Sequence, residues 1–224
     1  MLFWNFPNAG IIIPMTQNNI TIAIFEFIVL IFSAVLHEVA HGYEADRLGD
    51  DTARRAGRLT LNPLNHMDFF GSFLLPLSLF VMSGGAFFFA AAKPVPYDPR
   101  NLRDSRSGGA KIAIAGPATN LVLAAIFGII MRIFSYFLIP IPALFPIIVY
   151  LNILLAVFNS VPIPPLDGSR VLFAVLPQNE TTFRIGMFFE QYGMFFVLLF
   201  VFFGFEFLIP MVSFFFTLLT GQPF

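Results

Sequence analysis

His37, Glu38 and His41, in the run His37-Glu38-Val39-Ala40-His41, carry the most legible chemistry in this chain. A helix turns about 100° per residue, so His37 and His41 lie one above the other on one face. Two imidazoles so placed can share one Zn2+, and the carboxylate between them can reach a water on that ion as a general base. The pattern is HExxH, and the reaction it suits is hydrolysis of a peptide bond. The bland reading is coincidence, which would weigh heavily if the helix were polar. Here the motif ends a nearly apolar stretch, in which only Thr21, Glu26 and Ser33 are polar between Ile20 and Leu36. Histidine and glutamate are costly in hydrocarbon and functional there by default, and a metal would supply their compensating partner. Hydrolysis inside or beside a membrane is the first expectation.

A hydrolytic zinc takes three protein ligands and leaves a fourth position for water. The chain has no cysteine, so any ligand is His, Asp or Glu. The strongest third candidate is Asp167, in Asn159-Ser160-Val161-Pro162-Ile163-Pro164-Pro165-Leu166-Asp167-Gly168. Pro162, Pro164 and Pro165 stop a helix and force extended chain, and Gly168 permits a sharp exit. The competing role for Asp167 is to N-cap a helix beginning near Ser169-Arg170. Glu44 and His66 are rival ligands. Glu44 lies one turn farther along the His37 face and would have to bend back, while His66 sits among Asn62, Pro63 and Asn65 and better serves that turn. Asn120 and Asn159 are candidates to hold a substrate carbonyl or the oxyanion, or equally to make hydrogen bonds between helices. Glu26 and Ser33 fall within about 20–40° of the His37 direction. Glu26 either lines a hydrated cavity or is protonated and paired.

The elements that must position these groups are membrane helices. Of 224 residues, 58% are hydrophobic and 11% charged, against about 25% charged in a soluble domain. The fold class expected is an all-α polytopic membrane protein with about five spans and a re-entrant hairpin containing a short extended segment. The spans run from about Asn19 to Leu48, Gly109 to Tyr136, Phe145 to Val161, Thr182 to Phe203 and Glu206 to Leu219. The last is short for a span of about 20 residues and contains Pro210. We read residues 1–224 as a single membrane-embedded domain, with a catalytic core over about 19–176 and C-terminal helices over about 182–220. On the second span Gly109, Ala113, Gly116, Asn120 and Ala124 form a stripe of small residues that lets backbones approach closely.

Residues 69–92 are apolar throughout, yet both flanks are basic: Arg47, Arg54, Arg55 and Arg58 before, Lys93, Arg100, Arg103, Arg106 and Lys111 after. Basic loops stay cytoplasmic, and one crossing cannot have both ends on one side. A hairpin is expected instead: helix to about Met82, a break at Ser83-Gly84-Gly85, then an extended return into Lys93-Pro94-Val95-Pro96. The same rule puts the HExxH end near the cytoplasm of a multi-pass protein of the cell membrane, with Arg132 as the exception. Met1–Asn19 has no Lys or Arg, so it lacks the n-region of a signal peptide, and Trp4 and Phe6 suit the membrane interface. The formal net charge of −1 says nothing about partners. The partners expected are the bilayer and membrane-embedded polypeptides, with no nucleic acid and no oligomeric state indicated.

Five separated motifs now stand in order: His37–His41; Gly57-Arg58-Leu59-Thr60-Leu61-Asn62-Pro63; Lys93-Pro94-Val95-Pro96; Ala115-Gly116-Pro117-Ala118-Thr119-Asn120; and Asn159-Ser160-Val161-Pro162 leading to Leu166-Asp167-Gly168. Over about Ile20 to Leu176 the chain resembles the site-2 protease family of intramembrane zinc metalloproteases, in its compact form without a PDZ or CBS domain. The resemblance implies that His37, His41 and Asp167 are zinc ligands and Glu38 the catalytic base. It implies cleavage of transmembrane helices or membrane-embedded peptides. Where compact members carry Gly-Trp-Ala before the Lys-Pro, this chain has Phe89-Ala90-Ala91-Ala92. The alternative class is a membrane zinc transporter, or a metal-binding membrane protein without proteolysis. A transporter favours a second intramembrane histidine cluster, and the three histidines here are His37, His41 and His66.

Overall fold

The computed structural model describes residues 19–66 and 93–224. The expected interface segment near the amino terminus and the expected hairpin over 69–92 lie outside the described residues. Among those described there is no β-strand. The elements are α1 (Asn19–Arg47), α2 (Thr52–Arg55), α3 (Ser105–Tyr136), α4 (Phe145–Asn159), α5 (Asp167–Val175), α6 (Glu180–Leu199) and α7 (Ile209–Thr220). Three helical runs are long and apolar enough to cross a membrane, Ile24–Arg47, Arg106–Tyr136 and Glu180–Thr220, and Phe145–Asn159 is a shorter apolar helix.

Local sequence explains the ends. Gly49, at φ +111°, terminates α1, and Asp50 N–H donates back to Ala45 O at 2.9 Å, a left-handed helix stop that glycine permits without strain. Asp104 caps α3 by accepting from the N–H groups of Arg106 and Ser107. Pro162, Pro164 and Pro165 follow α4 and prevent its continuation.

The two C-terminal helices expected at Thr182–Phe203 and Glu206–Leu219 correspond to α6 and α7, which belong to one helical run, Glu180–Thr220. A π-type turn over Phe200–Gly204 and a 3-10 turn over Phe205–Leu208 join α6 to α7. Gly204 stays in the right-handed region. A Cβ there would sit 2.4 Å from the Phe200 ring, so this glycine makes room for an aromatic side chain and does not turn the chain. Pro210 falls in the first turn of α7, where its missing N–H costs nothing. The run would measure about 60 Å if straight, twice a hydrocarbon core.

The apolar core lies between α3, α4 and α7, where Ala124, Met131, Val149, Ile153, Val157, Val212 and Phe216 are buried together with Leu208. Arg132 closes the end of this core farthest from the histidines, donating to Leu218 O and Leu219 O. A cation on the last carbonyls of α7 complements the helix dipole.

At the opposite end the loops are tied to one another. Lys93 N–H donates to His66 O at 2.8 Å, so the two residues flanking the undescribed stretch are neighbours at one end of the bundle. Arg58 donates to Lys93 O at 2.7 Å. Asp50, wholly buried, accepts from Thr52, from Asp98 N–H at 2.7 Å and from Asn101 Nδ2 at 2.8 Å. Burial pushes the Asp50 carboxyl up, and the bonds from Asn101, Thr52 and Asp98 outweigh it, so it lies below its ordinary value. A carboxyl depressed on folding contributes stability that is complete above the unfolded value of about 4 and is lost as pH falls through the folded value. Asp50→Ala is therefore expected to cost about 1–3 kcal/mol by leaving its donors unpaired, and to expose the 96–104 loop to protease. Acid should open the same loop in the wild type, and Asp50→Asn should blunt that pH dependence. Limited proteolysis against pH reads all three.

Candidate metal centre

α1 presents His37 and His41 toward α3, and the turn after α4 carries Asp167 to them. His37 Nε2 stands 3.0 Å and His41 Nε2 3.2 Å from the same oxygen, Asp167 Oδ2. All three residues are buried, and their ligand atoms lie within 4.8 Å of one another. The imidazoles meet edge to face at 88°, with centroids 4.6 Å apart. A tetrahedral ion with arms of about 2.1 Å has ligand edges of about 3.4 Å, close to these separations.

The close approach depends on two glycines. A Cβ on Gly116 of α3 would fall 2.5 Å from Nε2 of both His37 and His41. A Cβ on Gly168 would fall 2.1 Å from Ser160 O, so the turn that delivers Asp167 folds tightly against the end of α4. The small-residue stripe expected on α3 is buried at Ala113, Gly116, Asn120 and Ala124, while Gly109 faces open space.

Donor chemistry decides what the cluster can hold. His41 Nδ1 lies 2.6 Å from Ile112 O, and His37 Nδ1 lies 2.6 Å from Asn120 Oδ1. A carbonyl oxygen only accepts, so each Nδ1 carries its hydrogen and each neutral Nε2 offers a lone pair. With both rings neutral, two lone pairs and a carboxylate converge with no donor between them. A cation satisfies all three, and neutral histidine with carboxylate is a donor set that suits zinc.

Asp167 does not cap α5. It is the first residue of that helix, the N-cap is Leu166, and its carboxylate serves the histidines. Its negative charge also sits at the positive end of the α5 dipole. The rival Glu44 pairs with Arg47 at 3.1 Å. His66 Nε2–H donates to Thr60 O at 2.8 Å and so belongs to its own loop. Neither joins the cluster. Glu38 is half-buried, and its Oε2 accepts from Val95 N–H at 2.9 Å. The Lys93–Pro96 stretch thus runs beside the motif, and Gly42 makes that possible, since a Cβ there would meet Val95 at 2.9 Å and Leu59 at 2.6 Å.

The two amides differ. Asn120 is wholly buried, with its oxygen toward His37 and its nitrogen toward Asn152 Oδ1 at 3.0 Å and Ser33 O at 3.4 Å. It makes the interhelical bonds that were one of its two readings. Asn159 is half-buried, and its nitrogen donates to Leu155 O at 2.9 Å. Asn152 was missed in the sequence. Its only signal there was an amide in an otherwise apolar run, which deserves the weight given to any polar group at membrane depth.

Comparison with known proteins follows the same line. The profile of Peptidase family M50 matches residues 135–201. A Bacillus subtilis protein named "Putative zinc metalloprotease YwhC" is 39% identical over 158 residues, which is 67% of this chain and 68% of that protein. The chain belongs to peptidase family M50, the site-2 protease family. "Putative zinc metalloprotease Rip2" of Mycolicibacterium smegmatis is 33% identical over 63% of this chain and 53% of its own length. "Zinc metalloprotease MJ0392" of Methanocaldococcus jannaschii is 27% identical over 75% of this chain and 38% of its own length. No solved structure matches.

The Gly116 contact gives a paired test. Gly116→Ala should push α3 off the histidines and lower retention of a divalent metal by at least about tenfold, as misplaced ligands do. Gly109→Ala, with nothing near its Cβ, should leave metal retention unchanged and favour the helix by about 0.5–1 kcal/mol. Elemental analysis of the purified variants after dialysis makes the comparison.

Proposed function

We propose that the protein is an intramembrane zinc endopeptidase in which His37, His41 and Asp167 hold the metal and Glu38 is the general base. The observation that carries this reading is the convergence of His37 Nε2, His41 Nε2 and Asp167 Oδ2 with both Nδ1 atoms already spent on carbonyl oxygens. The zinc named in the relatives supports the choice of ion. The chemistry zinc supplies when bound is polarisation of the scissile carbonyl and acidification of water to a pKa near 7.

The chain's own residues do the rest. Glu38 Oε2 is held by Val95 N–H, which leaves Oε1 to take a proton from the attacking water. Glu38 then returns that proton to the leaving amine as the C–N bond breaks, so one water and one peptide bond become a carboxylic acid and an amine, which ionise to carboxylate and ammonium. Asn159 is the amide proposed to contact the substrate carbonyl, through the second hydrogen on its nitrogen.

Substrates are proposed to be transmembrane or membrane-associated segments of other proteins. The apolar run Ile24–Arg47, which contains both histidines, supports this. A helical substrate hides its carbonyls in backbone hydrogen bonds and must unwind locally before attack. The cell membrane is the proposed location, with the site toward the cytoplasm. Arg47, Arg54, Arg58, Lys93, Arg100 and Arg103 in the loops of that end support the orientation. A zinc transporter is not favoured, because family membership points to peptidase chemistry.

Two variants separate base from ligand. Glu38→Gln should keep zinc and lose proteolysis by about a hundredfold or more, because only proton transfer is removed. Asp167→Asn and Asp167→Ser should lose both zinc and activity while remaining folded, since a neutral oxygen is a poor ligand although either residue caps a helix well. Metal content and cleavage of co-reconstituted membrane proteins are the measurements. Sustained cleavage by Glu38→Gln, or a zinc-replete Asp167→Ser enzyme, would overturn the assigned roles.

A further inference from the structure

We propose that Asn152 is a positioning residue that fixes the orientation of the Asn120 amide and, through it, the tautomer in which His37 meets the metal. The inference rests on the zinc reading above and concerns residues on three helices. Asn152 on α4, Asn120 on α3 and His37 on α1 form one line of hydrogen bonds, and all three side chains are buried.

The line has a direction, and its anchor is a backbone carbonyl. Asn152 Nδ2 donates to Ile148 O at 2.9 Å. That carbonyl can only accept, so the end of Asn152 facing it must be the NH2 group. Asn152 Oδ1 therefore faces Asn120, 3.0 Å from its nitrogen. An amide oxygen demands a donor, so Asn120 turns its NH2 toward Asn152 and its Oδ1 toward His37 Nδ1, 2.6 Å away. His37 must then carry its hydrogen on Nδ1 and leave Nε2 bare, facing Asp167 and His41. Ser33 O is a second acceptor for Asn120, longer at 3.4 Å.

Reversing any link is costly. With Asn120 turned over, its oxygen would face Asn152 Oδ1 and Ser33 O, two acceptors, in a site without competing water. His37 Nδ1 would then face an NH2 group and become the acceptor. The hydrogen would move to Nε2, the atom required for the metal. His41 needs no such relay, because its Nδ1 meets Ile112 O directly. Asn152 therefore acts on one ligand of the three, from a helix that supplies no ligand itself.

The test uses the purified full chain in detergent, with histidine labelled with 15N and zinc affinity measured by competition with a chromophoric chelator. The three histidines make the imidazole spectrum simple to read. Asn152→Leu keeps the branched shape of the side chain and removes both hydrogen bonds. It should raise the zinc dissociation constant by about tenfold or more, in the range seen when groups behind a ligand are lost. In the zinc-free protein at alkaline pH it should give His37 a population protonated on Nε2 that the wild type lacks. Asn152→Asp, in its neutral form, can donate to Ile148 O and accept from Asn120, and should restore both readouts to within a fewfold. If Asn152→Leu is not recovered folded, Asn152→Ala carries the same expectation. A folded Leu or Ala variant with wild-type tautomer and wild-type zinc affinity would overturn the proposal, as would an Asp variant no better than Leu. Failure of the wild type to hold zinc would instead refute the metal reading, and the tautomer measurement would still decide the role of Asn152.

Discussion

Two lone pairs and a carboxylate pointed at one another in a low-dielectric bundle are mutually repulsive until a cation stands between them. This constraint governs the site end of the protein. Each imidazole must be prevented from relieving the repulsion by moving its hydrogen to Nε2. The carbonyl of Ile112 does this for His41 and the oxygen of Asn120 for His37. Neither partner is charged. A carboxylate behind each histidine would raise ligand basicity further, but it would put a second buried anion beside Asp167 in a membrane, where each charge is expensive. Neutral oxygens set the tautomer at lower cost.

The constraint also sets how closely the backbones must approach. In lipid there is little hydrophobic drive between helices, so small residues at the contact carry much of the packing. Gly116 lets α3 pass within reach of both ring nitrogens, and Gly168 lets the Asp167 turn fold against Ser160. Gly42 does the same for the Lys93–Pro96 stretch, which runs beside the motif on a neighbouring face of α1. Farther up α3, Gly128 makes room for Leu219 of α7, which a Cβ there would meet at 3.0 Å, so the stripe that closes the site continues into the apolar core.

Much of this was legible in the chain. The HExxH spacing gave the shared face, the proline run before Asp167 gave a rigid delivery, and the small residues at Gly116 and Asn120 gave the facing helix. α1, α3 and α4 end within a few residues of the expected limits because their stops are local: Gly49, Asp104 and Pro162. The joining of α6 and α7 into one helical run was not legible, because it involves the missing Cβ of Gly204 making room for the Phe200 ring, which only three-dimensional packing reveals. Asn152 was illegible because an isolated amide in an apolar helix has no periodic partner. Its meaning lies in a residue on another helix, 32 positions away.

The proposed base, Glu38, is held differently from the three residues of the candidate metal centre. His37, His41 and Asp167 are buried and fixed from within the bundle, whereas Glu38 is half-buried and is held by the Lys93–Pro96 stretch, through Val95 N–H. That stretch is in turn held by Arg58, whose guanidinium donates to Lys93 O and reaches Pro94 O at 3.5 Å, and by the bond from Lys93 to His66. A group that must exchange protons with water has to be reachable by water, and half-burial leaves Glu38 in that position. The stretch that holds Glu38 lies outside the helices. The ligand geometry then depends on helix packing, and the orientation of Glu38 depends on loops that tie to one another at the end of the bundle. The two can therefore be perturbed separately.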